Sequence, residues 1–531
     1  MLVLVAMVLG VLMGLMFAGH NGRQSNPTDL QGKMDEVLRL VEHEYVERVD
    51  TDSLSEHLLG VMLSELDPHS TYLSAKETER SDEMMRGNFE GVGIVLHREG
   101  DTTYVGQVLS DGPSAHVGLL PGDLILRVDH DTVSGVGMAA DSVVARLRGP
   151  QGSKVDVEVL RHNPSTGSLS PKTFTIRRGV VDHKSVPYFN MLDDTTGYIL
   201  VTTFASTTHS EFRHALRQLK SQGMRHLILD LRGNGGGSLS AAVGIAGELL
   251  PRGSLIVYTQ GAHSHRRDTR AHSGGLFTEG KVTVMIDESS ASASEVLSGA
   301  LQDNDRATVV GRRSFGKGLV QSEFALKDGS SVLLTVARYY TPSGRCIQRP
   351  YDNGTDEYYR SYVQQLIDEA YADTAVAVIQ DTTPYYTVGG RVVYGGGGIT
   401  PDVILPYRKD STFIYYNRLA SAGLLNWVAF DHVKRHAAEL LQRYADGDAF
   451  CRNFTVSEAM TEEVAARGEK AGIARDNRSL KAQRHLMANM MKAYIGQSLF
   501  GDEVFYRICQ QEDDDLRKTR IGKHLSGNKM K

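Results

Sequence analysis

Between Gly197 and Arg345 the chain alternates, almost without pause, between short apolar runs and amphipathic stretches. GYILVTTF leads into SEFRHALRQLKSQG, and HLILDL leads into a glycine loop and SLSAAVGIAGELL. LIVYT, KVTVMID, ASEVLSGALQD, ATVVG, LVQSEFAL and SVLLTVARYYT then follow. Aliphatic and β-branched runs too short for helices, separated by segments of helical periodicity, are the pattern of strands joined by crossover helices. This stretch is predicted to be an α/β domain.

At 531 residues the chain exceeds what one hydrophobic core serves, and several domains are expected around that region. Residues 2–18, LVLVAMVLGVLMGLMFA, are uncharged and apolar, as a membrane anchor or signal segment would be over 1–25. An uncleaved anchor with the body outside the cytoplasm, on the periplasmic side, is the expectation. A helical segment is expected over 26–87. There Met34, Val37, Val41 and Tyr45 share one helical stripe, and Ser53 with Glu56 spells a capping box. Residues 88–163 change to alternating runs such as GIVLH, TYVGQVL and KVDVEVLR, a small β-rich module. The α/β core is expected over 164–406 with an irregular insertion at 351–385, and a charged, helical region over 407–531.

The 58 basic and 64 acidic side chains give a net charge of −6, so there is no electrostatic footprint for nucleic acid. Cys346, Cys451 and Cys509 are too widely spaced for a zinc knuckle or a CxxC pair. GRRSFGKG at 311–318 has phosphate-loop spacing, but Gly318 replaces the magnesium-binding hydroxyl and a strand-like run follows where a helix is required. Ser314 and Lys317 spell S-x-x-K, yet the lysine is flanked by glycines rather than carried on a helical turn. His263, His265 and His272 lie in a polar stretch with no Cys or Glu nearby to complete a metal set. Ser314, and His263 with His265, are expected to be dispensable for catalysis, and no cofactor or metal is expected.

Two segments point to chemistry. In SSASASEVLSGALQD, small residues crowd the chain before a helix, so a substrate backbone could approach Ser292, and the helix dipole would favour negative charge there. The same residues also read as a plain cap, because Ser292 and Glu295 have S-x-x-E spacing. In HLILDL followed by RGNGGGS, glycines after a buried strand could turn backbone N–H groups into an anion-binding nest, or simply make a tight turn. The consecutive Gly235, Gly236 and Gly237 cost more backbone entropy than a turn requires, which favours close approach to another backbone.

Taken together, FEGVGIVL, LRGPQGS, DLRGNGGG, SSASASE, GRRSFGKGLVQ, RYYTPSGR and GGGGITPD resemble the C-terminal processing peptidases, or tail-specific proteases, over about residues 30–406. The resemblance implies a serine endopeptidase with a crotonase-like α/β core and an inserted PDZ domain, flanked by helical segments. It places the nucleophile on Ser292, the general base on Lys317 and a supporting glutamine on Gln321. The oxyanion hole falls on the Ala293 amide and on a glycine amide, Gly235 or Gly236. Gly91, Val92, Gly93 and Ile94 are similar to a PDZ carboxylate-binding loop, with protein or peptide C-termini as the ligand and gating of the active site as a further implication. A serine–lysine pair makes chemical sense only if desolvation favours the neutral amine. Gln321, four residues on, is placed to hold that amine. The rival reading is a catalytically inert PDZ scaffold that tethers protein tails. A homo-oligomer is left open, and the helical region after 411 lies outside the shared motifs.

Overall fold

The computed structural model describes residues 30–163, 168–272, 274–371 and 382–521. The apolar stretch 2–18 lies outside the described residues, and no described helix is long and apolar enough to cross a membrane.

Residues 30–75 and Glu323–Leu334 form one compact unit. Its helices are Leu30–Glu44 and Thr51–Ser64. The second opens one turn earlier than the Ser53–Glu56 spacing predicts. Asp50 is the N-cap, its carboxylate accepting from Asp52 N and Ser53 N at 3.1 and 3.3 Å, and Ser53 Oγ donates to the same carboxylate. The short strand Thr71–Leu73 pairs antiparallel with Ser331–Leu333.

The second unit is built on a six-stranded sheet ordered Tyr188–Met191, Thr196–Leu200, His226–Asp230, Lys281–Ile286, Thr308–Gly311, Val403–Ile404. The first pair is antiparallel and the rest are parallel. Helices Thr208–Ser221, Leu239–Leu249 and Ala293–Asp303 cover one face, packing on Ile199, Leu227, Leu229, Val282, Val284 and Ile286. Alternate residues Tyr198, Leu200, Ile228 and Met285 face the other way, as the two-residue period of a strand demands. Parallel strands need both faces covered, and here the second cover comes from the C-terminal region, where Leu516 is buried and Tyr506 partly buried against those residues.

The β-rich module has the strand order Ile94–Glu99, Thr102–Val108, Leu124–Val128, Lys154–His162, Leu169–Arg177. It extends past the expected boundary at 163, because Leu169–Arg177 pairs along the whole length of Lys154–His162. Strands Asn88–Gly91 and Gly179–Asp182 pair with each other, so the module leaves and re-enters the core through a two-stranded neck. The insertion expected to be irregular carries a 17-residue helix, Thr355–Tyr371. Its tyrosines pack against an arginine in the core, so its order comes from tertiary contacts rather than from local propensity.

Residues 412–511 form six helices around their own apolar core, which includes Leu419, Val433, Phe450, Met487 and Ile495, and a seventh helix, Asp514–Ile521, packs Leu516 on the sheet. This region also touches the β-rich module. The His97 ring stacks on Phe430 at 3.9 Å between centroids, and Lys434 Nζ lies 2.8 Å from Glu99.

Candidate active site

The segment entering helix Ala293–Asp303 is fixed by a half-buried carboxylate. Asp287 Oδ1 accepts from Ser289 N and Gly233 N at 3.0 Å and from Ser290 N at 3.1 Å, joining the glycine loop to the strand end. Burial pushes this carboxyl above its ordinary range. Ser292 then adopts φ 53° and ψ −111°, although it carries a β-carbon. An ordinary N-cap residue sits in the extended region, so a plain cap does not require this conformation, which costs about 1–3 kcal/mol. Such strain persists only where surrounding contacts impose it.

Glu295 supplies those contacts. It is fully buried, one turn into the helix, and four donors converge on its carboxylate. Oε2 accepts from Ser292 N at 2.8 Å and from Lys317 N at 2.9 Å. Oε1 accepts from Gly316 N at 2.7 Å and from Ser314 Oγ at 2.5 Å. Burial raises the Glu295 carboxyl to about 7, with the four hydrogen bonds pulling the other way. Because one oxygen binds both Ser292 N and Lys317 N, the two backbones are held side by side. A second clip is the buried Tyr339 hydroxyl, 2.8 Å from Lys317 O and 3.2 Å from Ser292 O, kept protonated by burial.

Lys317 is half-buried, and its Nζ donates to Gln321 Oε1 at 2.6 Å. The glycines beside it serve close packing. A β-carbon on Gly316, whose φ is 92°, would lie 2.7 Å from Arg349 Cγ, and one on Gly318 would lie 2.8 Å from Gln348 N. Gly318 N donates to Gln348 Oε1 at 2.7 Å. The Arg349 guanidinium sits 4.6, 4.2 and 4.1 Å from the ring centroids of Phe315, Tyr358 and Tyr362, so the insertion helix braces the lysine loop from behind. Ser314, set aside as a nucleophile, is not dispensable structurally: it is buried, donates to Glu295 and accepts from Ile399 N at 2.6 Å. His263 and His265 lie exposed at the hairpin formed by Leu255–Gly261 and Ser264–Arg270.

The glycine loop approaches the serine as its composition suggests. A β-carbon on Gly236 would lie 2.8 Å from both Ala291 O and Ser292 Cβ, and one on Gly237 would run into Phe204 O. Asn234, fully buried, ties the two segments together. Its carbonyl accepts from Ala291 N at 3.0 Å and Ser294 Oγ at 2.9 Å, while its side chain donates to Val201 O. Asn234 Oδ1 accepts from Gly236 N at 2.9 Å, so of the two candidate glycine amides Gly236 is already engaged. Gly235 is exposed, and among the described residues neither its amide nor that of Ala293 has a hydrogen-bond acceptor. Sequence reasoning passed over Asn234 and Tyr339 and treated Glu295 only as a cap. The run GNGGG and the glutamate ending SSASASE were the available signals.

In the β-rich module, Gly91 closes the neck opposite Gly179. The carbonyls of the next two residues are consumed internally: Val92 O accepts from Ser114 N and Oγ at 2.9 and 2.6 Å, and Gly93 O accepts from Leu109 N at 3.1 Å. The Val92 and Gly93 amides have no acceptor among the described residues. Ile94 begins an edge strand that, among the described strands, pairs only with Thr102–Val108. An open sheet edge beside unpartnered amides is the arrangement that takes an extended peptide and its carboxylate.

A serine at a strained helix start, a lysine clipped beside it and a peptide-binding module on a two-stranded neck define a class of PDZ-bearing serine peptidase. Comparison with known proteins agrees. Residues 195–357 match the model of peptidase family S41, 82–160 match the PDZ domain, and 415–501 match a family of unknown function. A carboxy-terminal-processing protease of Bartonella bacilliformis is 34% identical over 60% of this chain and 72% of its own length. A carboxyl-terminal-processing protease of Synechocystis sp. is 38% identical over 54% of this chain and 67% of its own. The chain belongs to the carboxy-terminal-processing protease family. A probable CtpA-like serine protease of Staphylococcus epidermidis is 33% identical, and the match covers 59% of this chain and 62% of that relative.

Proposed function

We propose that this protein is a serine endopeptidase that cuts proteins near their C-termini, using Ser292 and Lys317 in a crotonase-like core and its PDZ domain to hold substrate tails. The observation that supports the reading is the sharing of one Glu295 oxygen by the Ser292 and Lys317 amides, which holds the two backbones next to each other. In the proposed first step Ser292 Oγ forms a bond to the scissile carbonyl carbon, its proton passes to neutral Lys317 Nζ, and the carbonyl electrons move to oxygen. The Ala293 and Gly235 amides receive that oxyanion. Collapse breaks the C–N bond, and the proton moves from Nζ to the departing amine. Water then repeats the sequence to release the acyl group. Gln321 holds the amine through its carbonyl oxygen. Gly91, Val92, Gly93 and Ile94 bind the substrate carboxylate and start the strand on which its tail adds. The apolar stretch 2–18 suits an anchored or exported protein working outside the cytoplasm, which fractionation of cells expressing the full chain would test.

A reporter protein bearing an apolar or a charged tail, incubated with wild-type chain and with Ser292→Ala or Lys317→Ala, tests the reading. Cleavage is expected to fall by at least 1,000-fold in each variant, with tail binding kept. Full activity in either variant rejects the assignment, and tail binding without any wild-type cleavage favours the inert scaffold.

A further inference from the structure

The C-terminal helical region does more than cover the sheet. Its last helix, Asp514–Ile521, begins beneath the two loops that carry the site. Just ahead of that helix, Asp513 faces Arg232, whose Nη1 and Nη2 donate to its two oxygens at 3.2 and 2.5 Å. Arg232 also donates to Asp230, itself bonded by the Tyr198 hydroxyl at 2.8 Å. It stands two residues before Asn234 and three before Gly235. One residue into the helix, Asp515 Oδ2 accepts from Arg312 Nη1 at 3.0 Å, and Arg312 Nε donates to Glu288 at 2.8 Å. Arg312 stands five residues before Lys317, and Glu288 four before Ser292. The four side chains Arg232, Asp513, Arg312 and Asp515 are only 17–21% exposed, so these pairs are screened far less than surface pairs.

We propose that Asp513 and Asp515 are positioning residues for catalysis, one holding the oxyanion loop and the other the lysine loop, so that the C-terminal region keeps the halves of the site in register. Each carboxylate acts through an arginine and touches no reacting atom. The inference rests on the Ser292/Lys317 reading for its catalytic consequence, but the tether itself can be judged without catalysis. Both carboxylates lie beyond residues 415–501, the stretch that matches a family of unknown function.

The test compares full-length wild type, Asp513→Asn/Asp515→Asn and Asp513→Glu/Asp515→Glu. Expected for the asparagine pair are a kcat at least 10-fold lower, a KM for the tailed reporter within 2-fold, unchanged PDZ tail binding, and recovery of most of the loss in the glutamate pair. Hydrogen exchange, measured in a Ser292→Ala background, is expected to quicken at least 10-fold at residues 231–237 and 311–318 while the PDZ domain is unaffected. Unchanged kcat and unchanged exchange in those loops overturn the proposal, and so does a rise in exchange throughout the molecule, which would mean simple unfolding. Labelling of wild type by a fluorophosphonate, absent in Ser292→Ala, separates the two claims. No labelling removes the protease reading, and the exchange result then decides the tether alone.

Discussion

At the scale of single residues, Glu295 gathers four hydrogen bonds on one buried carboxylate. Glutamine in its place presents an NH₂ to one of two pairs of donors, so at least one backbone amide, at Ser292, Lys317 or Gly316, loses its acceptor. Glu295→Gln is expected to cost about 1–3 kcal/mol in chemical denaturation and to lower kcat, because the serine and lysine loops are no longer clipped together. The pH dependence carries a sign. The folded carboxyl titrates at about 7 against 4.5 unfolded, so the native state holds the extra proton between those values. Stability from this group is complete below about 4.5 and declines by roughly 3 kcal/mol as pH rises through 7. Wild type should show that slope relative to Glu295→Gln. Activity should move the opposite way, since only the carboxylate accepts all four hydrogen bonds. The resemblance to a family pointed to Ser292, Lys317 and Gln321, but the contacts of Glu295 could not be read from it. S-x-x-E reads identically whether its carboxylate merely caps a helix or also reaches a loop twenty residues on, and only tertiary structure separates those cases.

Among the elements, the glycine loop is where sequence reasoning reached furthest. Three glycines in a row implied close backbone approach, and Gly236 lies against the Ser292 segment with φ 107°. Gly236→Ala is therefore expected to reduce cleavage at least 100-fold while PDZ binding of a tail peptide, measured by calorimetry, stays within 2-fold. What remained hidden is instructive. The strand Leu169–Arg177 opens with the polar run Ser170, Pro171, Lys172 and Thr173, so nothing in its composition extended the β-rich module beyond 163, and only its pairing does so. Helix Thr355–Tyr371 was hidden because half of its apolar side chains are tyrosines, and the value of Tyr358 and Tyr362 lies in the rings they offer Arg349 rather than in an aliphatic stripe.

For the molecule as a whole, the central sheet requires a distant part of the chain to be folded. Leu516 is 2% exposed and sits among Tyr188, Tyr198, Leu200, Ile228 and Met285. Leu516→Ala should cost about 2–4 kcal/mol in denaturant unfolding, the range for a leucine removed from a filled core, although it lies outside the protease match. The alternation of strands and helices made the α/β core legible, but strands buried on both faces do not reveal which segment will supply the second cover. The conformation of Ser292 has a consequence for the entire fold. Serine there occupies backbone space natural to glycine, so the native state carries a standing deficit at residue 292. Ser292→Gly should be about 1 kcal/mol more stable than Ser292→Ala by thermal or chemical melting, and wild type should gain nothing from its β-carbon. A screen that rewarded only durability would therefore drift toward an inert protein at residue 292, and keeping the hydroxyl there requires selection for turnover itself.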